Sequence, residues 1–156
     1  MKFSDYILVD AINPVLKATD LQGVIREMVQ SLVDAGGIKE EDYEAIVKAF
    51  IKREELGSTG IGRGIAFPET RHPSVSCSIA AVGISTEGID FEALDDEKTH
   101  IFVMVLSPPG RADYLYVMEH LCQRFKDGTF RERLLCAKTR EEILALLEEA
   151  DSKERR

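Results

Sequence analysis

The sequence predicts an α/β domain in which a mixed β-sheet is flanked by helices on both faces, and three observations carry that prediction. Amphipathic helical spacing fills the chain before Gly57, strand-like apolar runs occupy its middle, and helical spacing returns after Pro108-Pro109-Gly110. The central run Ile101 to Leu106, IFVMVL, has no polar alternation, as strands covered on both faces do not.

Taken in order, the first helix opens at Asp20 and places Leu21, Val24, Ile25, Met28, Val29, Leu32 and Val33 at helical spacing, with Gly36-Gly37 as a left-handed stop. A second helix puts Tyr43, Ile46, Val47, Phe50 and Ile51 on one face and ends before Gly57, so that its last turn delivers Arg53 to a glycine-rich stretch. Strand-like runs follow at Gly64 to Phe67, Ser78 to Ser85 and His100 to Ser107. A helix then turns Leu115, Met118, Leu121, Cys122 and Phe125 inward and stops near Gly128; a short helix covers Phe130 to Leu135. The last helix opens with Thr139 and Glu142 in capping-box spacing and buries Ile143, Leu144, Leu146 and Leu147. With no repeat and no linker, residues 1–150 read as one domain and 151–156, DSKERR, as a frayed tail.

Composition narrows the function classes. A chain of 156 residues can bury about two thirds of its unfolded surface in a single core. No apolar run is long enough to span a bilayer, and the opening MKFSDYILVDAINP carries Asp5 and Asp10 and no small-residue cleavage pattern, which favours the cytoplasm over secretion or membrane insertion. A formal charge of −8 repels nucleic-acid phosphates. Cys77, Cys122 and Cys136 contain no CxxC pair and read as reduced, packed thiols; His120 and Cys122 sit about 200° apart around a helix and cannot share a metal. Neither a cofactor nor a metal is expected.

The stretch STGIGRGIAFPETRHPSV, residues 58–75, places Gly60, Gly62 and Gly64 at alternate positions. A dinucleotide fingerprint needs strand, glycines, helix; here the order is helix, glycines, strand, and no lysine follows in P-loop spacing. Two readings of the residues stand: a capped turn between helix and strand, or an anion-binding concavity made of the Ser58, Thr59 and Gly60 amides, the two hydroxyls and Arg53.

The run REELGSTGIGRGIAFP, residues 53–68, with FEALDD at 91–96 and the closing TREEILALLEEA, resembles the enzyme IIA domains of the bacterial phosphotransferase system, in their fructose, mannitol and nitrogen-regulatory class. That resemblance implies the type-2 IIA fold. It also implies a site in which the residue after the proline is a histidine that takes a phosphoryl group from an HPr-like carrier and hands it to a IIB domain. At the position so implied stands Glu69; at that of a second family histidine stands Tyr114, while the family's phosphate-binding arginine is matched by Arg53. A carboxylate lacks the nucleophilic ring nitrogen that makes phosphohistidine chemistry work near neutral pH. The expectation is therefore a regulatory or docking module in which Glu69 sets a permanent charge beside Arg53, with an HPr-like carrier, a IIB domain or a regulated kinase, transporter or transcription factor as partner. The alternative is a phosphocarrier whose acceptor is His72 or Glu69. For Arg63 and Arg71 two readings stand: they line the approach to the site with Arg53, or they are solvated loop charges.

Overall fold

The computed structural model describes residues 2–110 and 113–154, with backbone alone at 113, 114, 116, 117, 120, 121, 153 and 154. After a 3-10 turn at Phe3–Asp5, β1 spans Ile7–Asn13, α1 Leu21–Asp34 and α2 Tyr43–Leu56. Three short strands follow, β2 Gly60–Gly62, β3 Ile65–Ala66 and β4 Glu69–Arg71, and then two long ones, β5 Ile79–Ile89 and β6 Thr99–Ser107. The chain closes with α3 Asp113–Phe125, α4 Gly128–Cys136 and α5 Arg140–Glu154.

The strands form one mixed sheet in the order β1-β5-β6-β3-β2, with β4 also paired to β6. β1 runs parallel to β5, β5 antiparallel to β6, and β3 and β4 both parallel to β6. β6 is the organising strand because both its faces are buried. Ile101, Val103 and Val105 pack with residues of α3, α4 and α5, whereas Phe102, Met104 and Leu106 pack with α1 and α2. This two-sided core explains why IFVMVL shows no alternation.

Helix ends follow their sequence signals. The Asp20 carboxylate accepts from the Gly23 N–H at 2.7 Å, and Gly36, at φ +80°, stops α1 while the Gly37 N–H reaches back to the Leu32 carbonyl at 2.9 Å. Thr139 accepts from the Glu142 N–H at 3.1 Å, but the Glu142 carboxylate returns to Lys138 N–H at 2.9 Å, one residue ahead of the position a strict capping box uses. No described helix is long and apolar enough to cross a membrane.

Several local expectations are corrected. β1, β2 and β4 are strands that periodicity does not reveal. In β1 the register with β5 shifts between Ile7 and Ile12, which breaks the alternation and leaves Val9 and Asp10 exposed together. β2 is two glycines around Ile61, and β4 is the polar triplet ETR, held extended by its ladder to Val105, Leu106 and Ser107. Leu115 is 48% exposed rather than turned inward, because the α3 stripe through Met118 and Phe125 continues past the end of the core; Leu121 lies outside the described side chains. The tail expected to fray from residue 151 is helical to Glu154. Its Asp151 is buried and accepts from the Phe3 N–H at 3.3 Å and the Ser4 N–H at 3.0 Å, tying the two ends of the chain together. Residues 155–156 lie outside the described ones.

Candidate functional site

β3 and β4 are one strand interrupted at Phe67-Pro68, since both pair with β6 at the same offset. At the break the Phe67 N–H turns to the Thr59 carbonyl, 3.1 Å, and Pro68 has no N–H to give, although its carbonyl still accepts from Val105 at 2.8 Å. The interruption brings the glycine turn alongside the sheet and sets Glu69 as the first residue after it. By the pleat, Glu69 shares a face with its register partner Val105, on the side that α3 covers, while Thr70 shares the Leu106 face.

The last turn of α2 supplies the other half of the site. Arg53 donates through Nε to Glu69 Oε1 at 2.8 Å and through Nη1 to the Gly57 carbonyl at 2.8 Å. The Arg53 and Glu69 side chains are 33% and 30% exposed, so the pair sits at a half-buried rim. Its neighbour Glu54, about 100° further around the helix, turns inward and is 8% exposed. Glu54 Oε2 accepts from the Thr59 N–H at 3.0 Å, and Oε1 accepts from the Thr59 hydroxyl. Burial pushes the Glu54 carboxyl above the ordinary range; the two Thr59 hydrogen bonds and the nearby Arg53 charge pull against that rise, and the Glu69 charge adds to it.

In this geometry the side-chain hydroxyls and the Thr59 and Gly60 amides of the expected anion-binding concavity have partners within the protein. Both Thr59 donors are spent on Glu54, the Ser58 hydroxyl donates to the Phe91 carbonyl at 2.9 Å, and the Gly60 N–H donates to Ser58 Oγ at 3.0 Å. The buried Glu54 carboxylate takes both Thr59 donors, so Ser58, Thr59 and Gly60 form a pinned turn, and Arg53 presents a donor to Glu69. Glu54 is the residue that sequence reasoning missed; its signal was an acidic side chain at a helix C-terminus, where the macrodipole disfavours it.

The glycines serve distinct purposes. A Cβ on Gly60 would lie 3.0 Å from Cα and Cβ of Ala93, so the turn can approach the 91–94 loop only without a side chain. Arg63 and Gly64, at φ +57° and +80°, give the two positive torsions of a type I′ hairpin between β2 and β3. Arg63 consequently lies at the far end of the sheet, against His100, Arg131 and Glu132 of a cleft of about 140 Å³, and does not join Arg53. Arg71, two residues beyond Glu69, is exposed on the Glu69 face.

His72 stands apart from Glu69. Its backbone continues the β4 ladder, donating to the Ser107 carbonyl at 3.0 Å, on the opposite face of the pleat from Glu69. Its Nδ1 accepts from the Ser74 N–H at 3.1 Å and lies 2.7 Å from the Ser74 hydroxyl, which leaves the neutral ring its proton on Nε2. Tyr114 falls in the first turn of α3, and its side chain, like that of His120, lies outside the described residues. Among the described residues no three His, Cys, Asp or Glu side chains gather as metal ligands. Leu56 and Leu94, 82% and 77% exposed, flank the turn; the Leu94 N–H donates to the Gly60 carbonyl at 3.2 Å.

Residues 6–150 match the family described as phosphoenolpyruvate-dependent sugar phosphotransferase system, EIIA 2. The chain is 33% identical over 129 residues, 82% of each protein, to the fructose-specific EIIA component of Haloferax volcanii. It is 24% identical over 148 residues to the nitrogen regulatory protein of Bradyrhizobium diazoefficiens, covering 94% of this chain and 95% of that one. Among solved structures, nitrogen regulatory protein IIA-Ntr of Neisseria meningitidis superposes with a TM-score of 0.83 at 24% identity, over 92% of this chain and 97% of that one. The complex of mannitol enzyme IIA with phosphorylated enzyme IIB from Escherichia coli gives 0.73 at 24% identity, over 90% and 95%.

Proposed function

Because the chain belongs to the EIIA 2 family of the phosphoenolpyruvate-dependent sugar phosphotransferase system, we propose that it is a IIA-like protein of the sugar or nitrogen-regulatory branch that does not relay phosphate and acts by protein contact through the Arg53–Glu69 site. The observation that carries this reading is the Arg53 Nε to Glu69 Oε1 bond of 2.8 Å. A carboxylate, fixed against a guanidinium immediately after the proline, supplies one negative charge where the family resemblance puts a phosphohistidine.

The substitution imitates a phosphoryl group only in part. A carboxylate offers two acceptor oxygens and one charge, against three oxygens and nearly two charges, and it reaches less far from the backbone. A partner that reads charge at the rim would accept it; a partner that must receive the phosphoryl group would gain nothing. The exposed Leu56, in the last turn of α2, and Leu94, whose N–H donates to the Gly60 carbonyl, offer apolar side chains on either side of the turn for protein contact.

The test is intact mass after incubation with phosphoenolpyruvate, enzyme I and HPr or its nitrogen-branch counterpart, at neutral pH to preserve phosphohistidine, beside a histidine-bearing relative that labels. The expected result is no added phosphoryl group on this chain together with measurable binding to a IIB domain or to a regulated protein. Stoichiometric phosphorylation would replace the docking reading with a carrier, and His72→Ala and Glu69→Gln would then identify the acceptor.

A further inference from the structure

We propose that Glu54 is the positioning residue of this site: it pins the turn from Gly57 to Gly60, and the pinned turn holds Arg53 in the orientation that meets Glu69. The inference deepens the docking reading of the same site, but its geometric part does not depend on which partner, if any, binds there.

Glu54 engages the turn at both ends. Its backbone carbonyl accepts from the Gly57 N–H at 3.1 Å, and its side chain takes the N–H and the hydroxyl of Thr59. Gly57, fixed between these contacts, offers its carbonyl to Arg53 Nη1 at 2.8 Å, which leaves Nε aimed at Glu69. The Glu54 backbone carbonyl is thus linked to Glu69 by hydrogen bonds through Gly57 and Arg53, and the Glu54 side chain acts on that run by fixing Thr59, two residues beyond Gly57.

The carboxylate suits the two Thr59 donors, one to each oxygen, but its place is an unfavourable one for a charge. An anion at a helix C-terminus is opposed by the macrodipole, and a carboxylate 8% exposed carries a desolvation cost that an amide or hydroxyl would avoid. The charged groups that bear on it are Arg53 on its own helix and Glu69 on β4, while its own hydrogen bonds go to Thr59 and those of Arg53 to Glu69 and Gly57. What limits Arg53 from swinging into solvent is its pair of bonds, to Glu69 Oε1 and to the carbonyl of the pinned Gly57.

The experiment uses the full chain, isotope-labelled, as wild type, Glu54→Gln and Thr59→Val. Glutamine fills the same volume but brings an NH2 group to a site already holding two donors; valine removes only the hydroxyl link. NMR reads the Arg53 Nε–H signal and amide exchange at Gly57, Thr59 and Gly60, with Val103 of β6 as a core reference. Both variants are expected to accelerate exchange at Thr59 by about tenfold and to move the Arg53 signal toward that of a solvated arginine, with Val103 unchanged. An Arg53 signal identical to wild type in a folded Glu54→Gln would overturn the proposal. Should that variant fail to fold, the same null result in Thr59→Val would overturn it. Partner affinity is measured separately: a displaced Arg53 with no partner binding in the wild type would retain the positioning role and sink the docking reading.

Discussion

Arg53 Nε donates to Glu69 Oε1 at 2.8 Å across a rim where both side chains keep about a third of their exposure, 33% and 30%. The bond joins the last turn of α2 to the first residue after the Pro68 break, and neither side chain is buried deeply enough to be a pillar of the fold.

Glu69→Gln therefore separates function from stability. An ion pair this exposed contributes about 0.2–1 kcal/mol, which at this chain length lowers Tm by at most about 2–4 °C. Binding to a partner that reads the charge should weaken by about tenfold and lose most of its salt dependence, as loss of a charge-assisted contact does. Calorimetric unfolding beside titration of the partner at two ionic strengths gives both numbers. Equal affinity for the two proteins would remove Glu69 from the mechanism.

Glu54 supplies a pH signature of defined sign. Its folded carboxyl lies above the ordinary value because burial disfavours the charge, so between the unfolded and folded values the native state holds the extra proton. Stability from this group is greatest below the ordinary glutamate value of about 4.3 and falls as pH rises through the window above it. Glu54→Gln lacks that dependence. The stability difference, wild type minus variant, should shrink as pH rises from about 4.3, measured by denaturant unfolding along a pH series. A difference that grows with pH would contradict the assignment of burial as the dominant cause.

The physical signals in the sequence account for what it revealed and what it concealed. α1 and α2 were legible because their buried stripes, Val24 to Leu32 and Ile46 to Phe50, keep helical spacing between strong stop signals, and β6 was legible because a two-faced core leaves a continuous apolar run. β4 was not, because Glu69-Thr70-Arg71 is a short polar triplet with no apolar alternation, in which the β-branched Thr70 alone favours an extended chain and the pairing to β6 does the rest. Arg53 and Glu69 could be named from the family-like stretch around Pro68, yet the destination of the Thr59 donors could not. Side-chain hydrogen bonds within a turn leave no periodicity, and Glu54 reads as one more charge in Lys52-Arg53-Glu54-Glu55.

The segment at Phe3-Ser4 meets the last turns of α5 at Asp151, which is buried and accepts from the Phe3 and Ser4 N–H groups. Asp151→Ala leaves two N–H groups without their acceptor and should cost about 1–3 kcal/mol. Limited proteolysis should cut the N-terminal segment ahead of the core, with the secondary structure retained. Wild-type resistance in Asp151→Ala would mean that packing of Phe3 alone holds the segment.

Gly60 offers a test of the turn itself. Its missing Cβ would meet main-chain and side-chain carbon of Ala93 at 3.0 Å, and Ala93 sits in a loop tied back to the turn by the Leu94 N–H to Gly60 carbonyl bond. Backbone cannot yield as a flexible side chain can, so Gly60→Ala should cost about 1–3 kcal/mol through overpacking and push the 91–94 loop outward. The displacement would carry the exposed Leu94 with it and loosen the Ser58 hydroxyl from Phe91, so stability and partner affinity should fall together, in contrast to Glu69→Gln. Unfolding free energies for the two variants, set beside their affinities, distinguish a turn that shapes the docking rim from one that merely connects α2 to the sheet: the second case predicts lost stability with unchanged affinity per folded molecule.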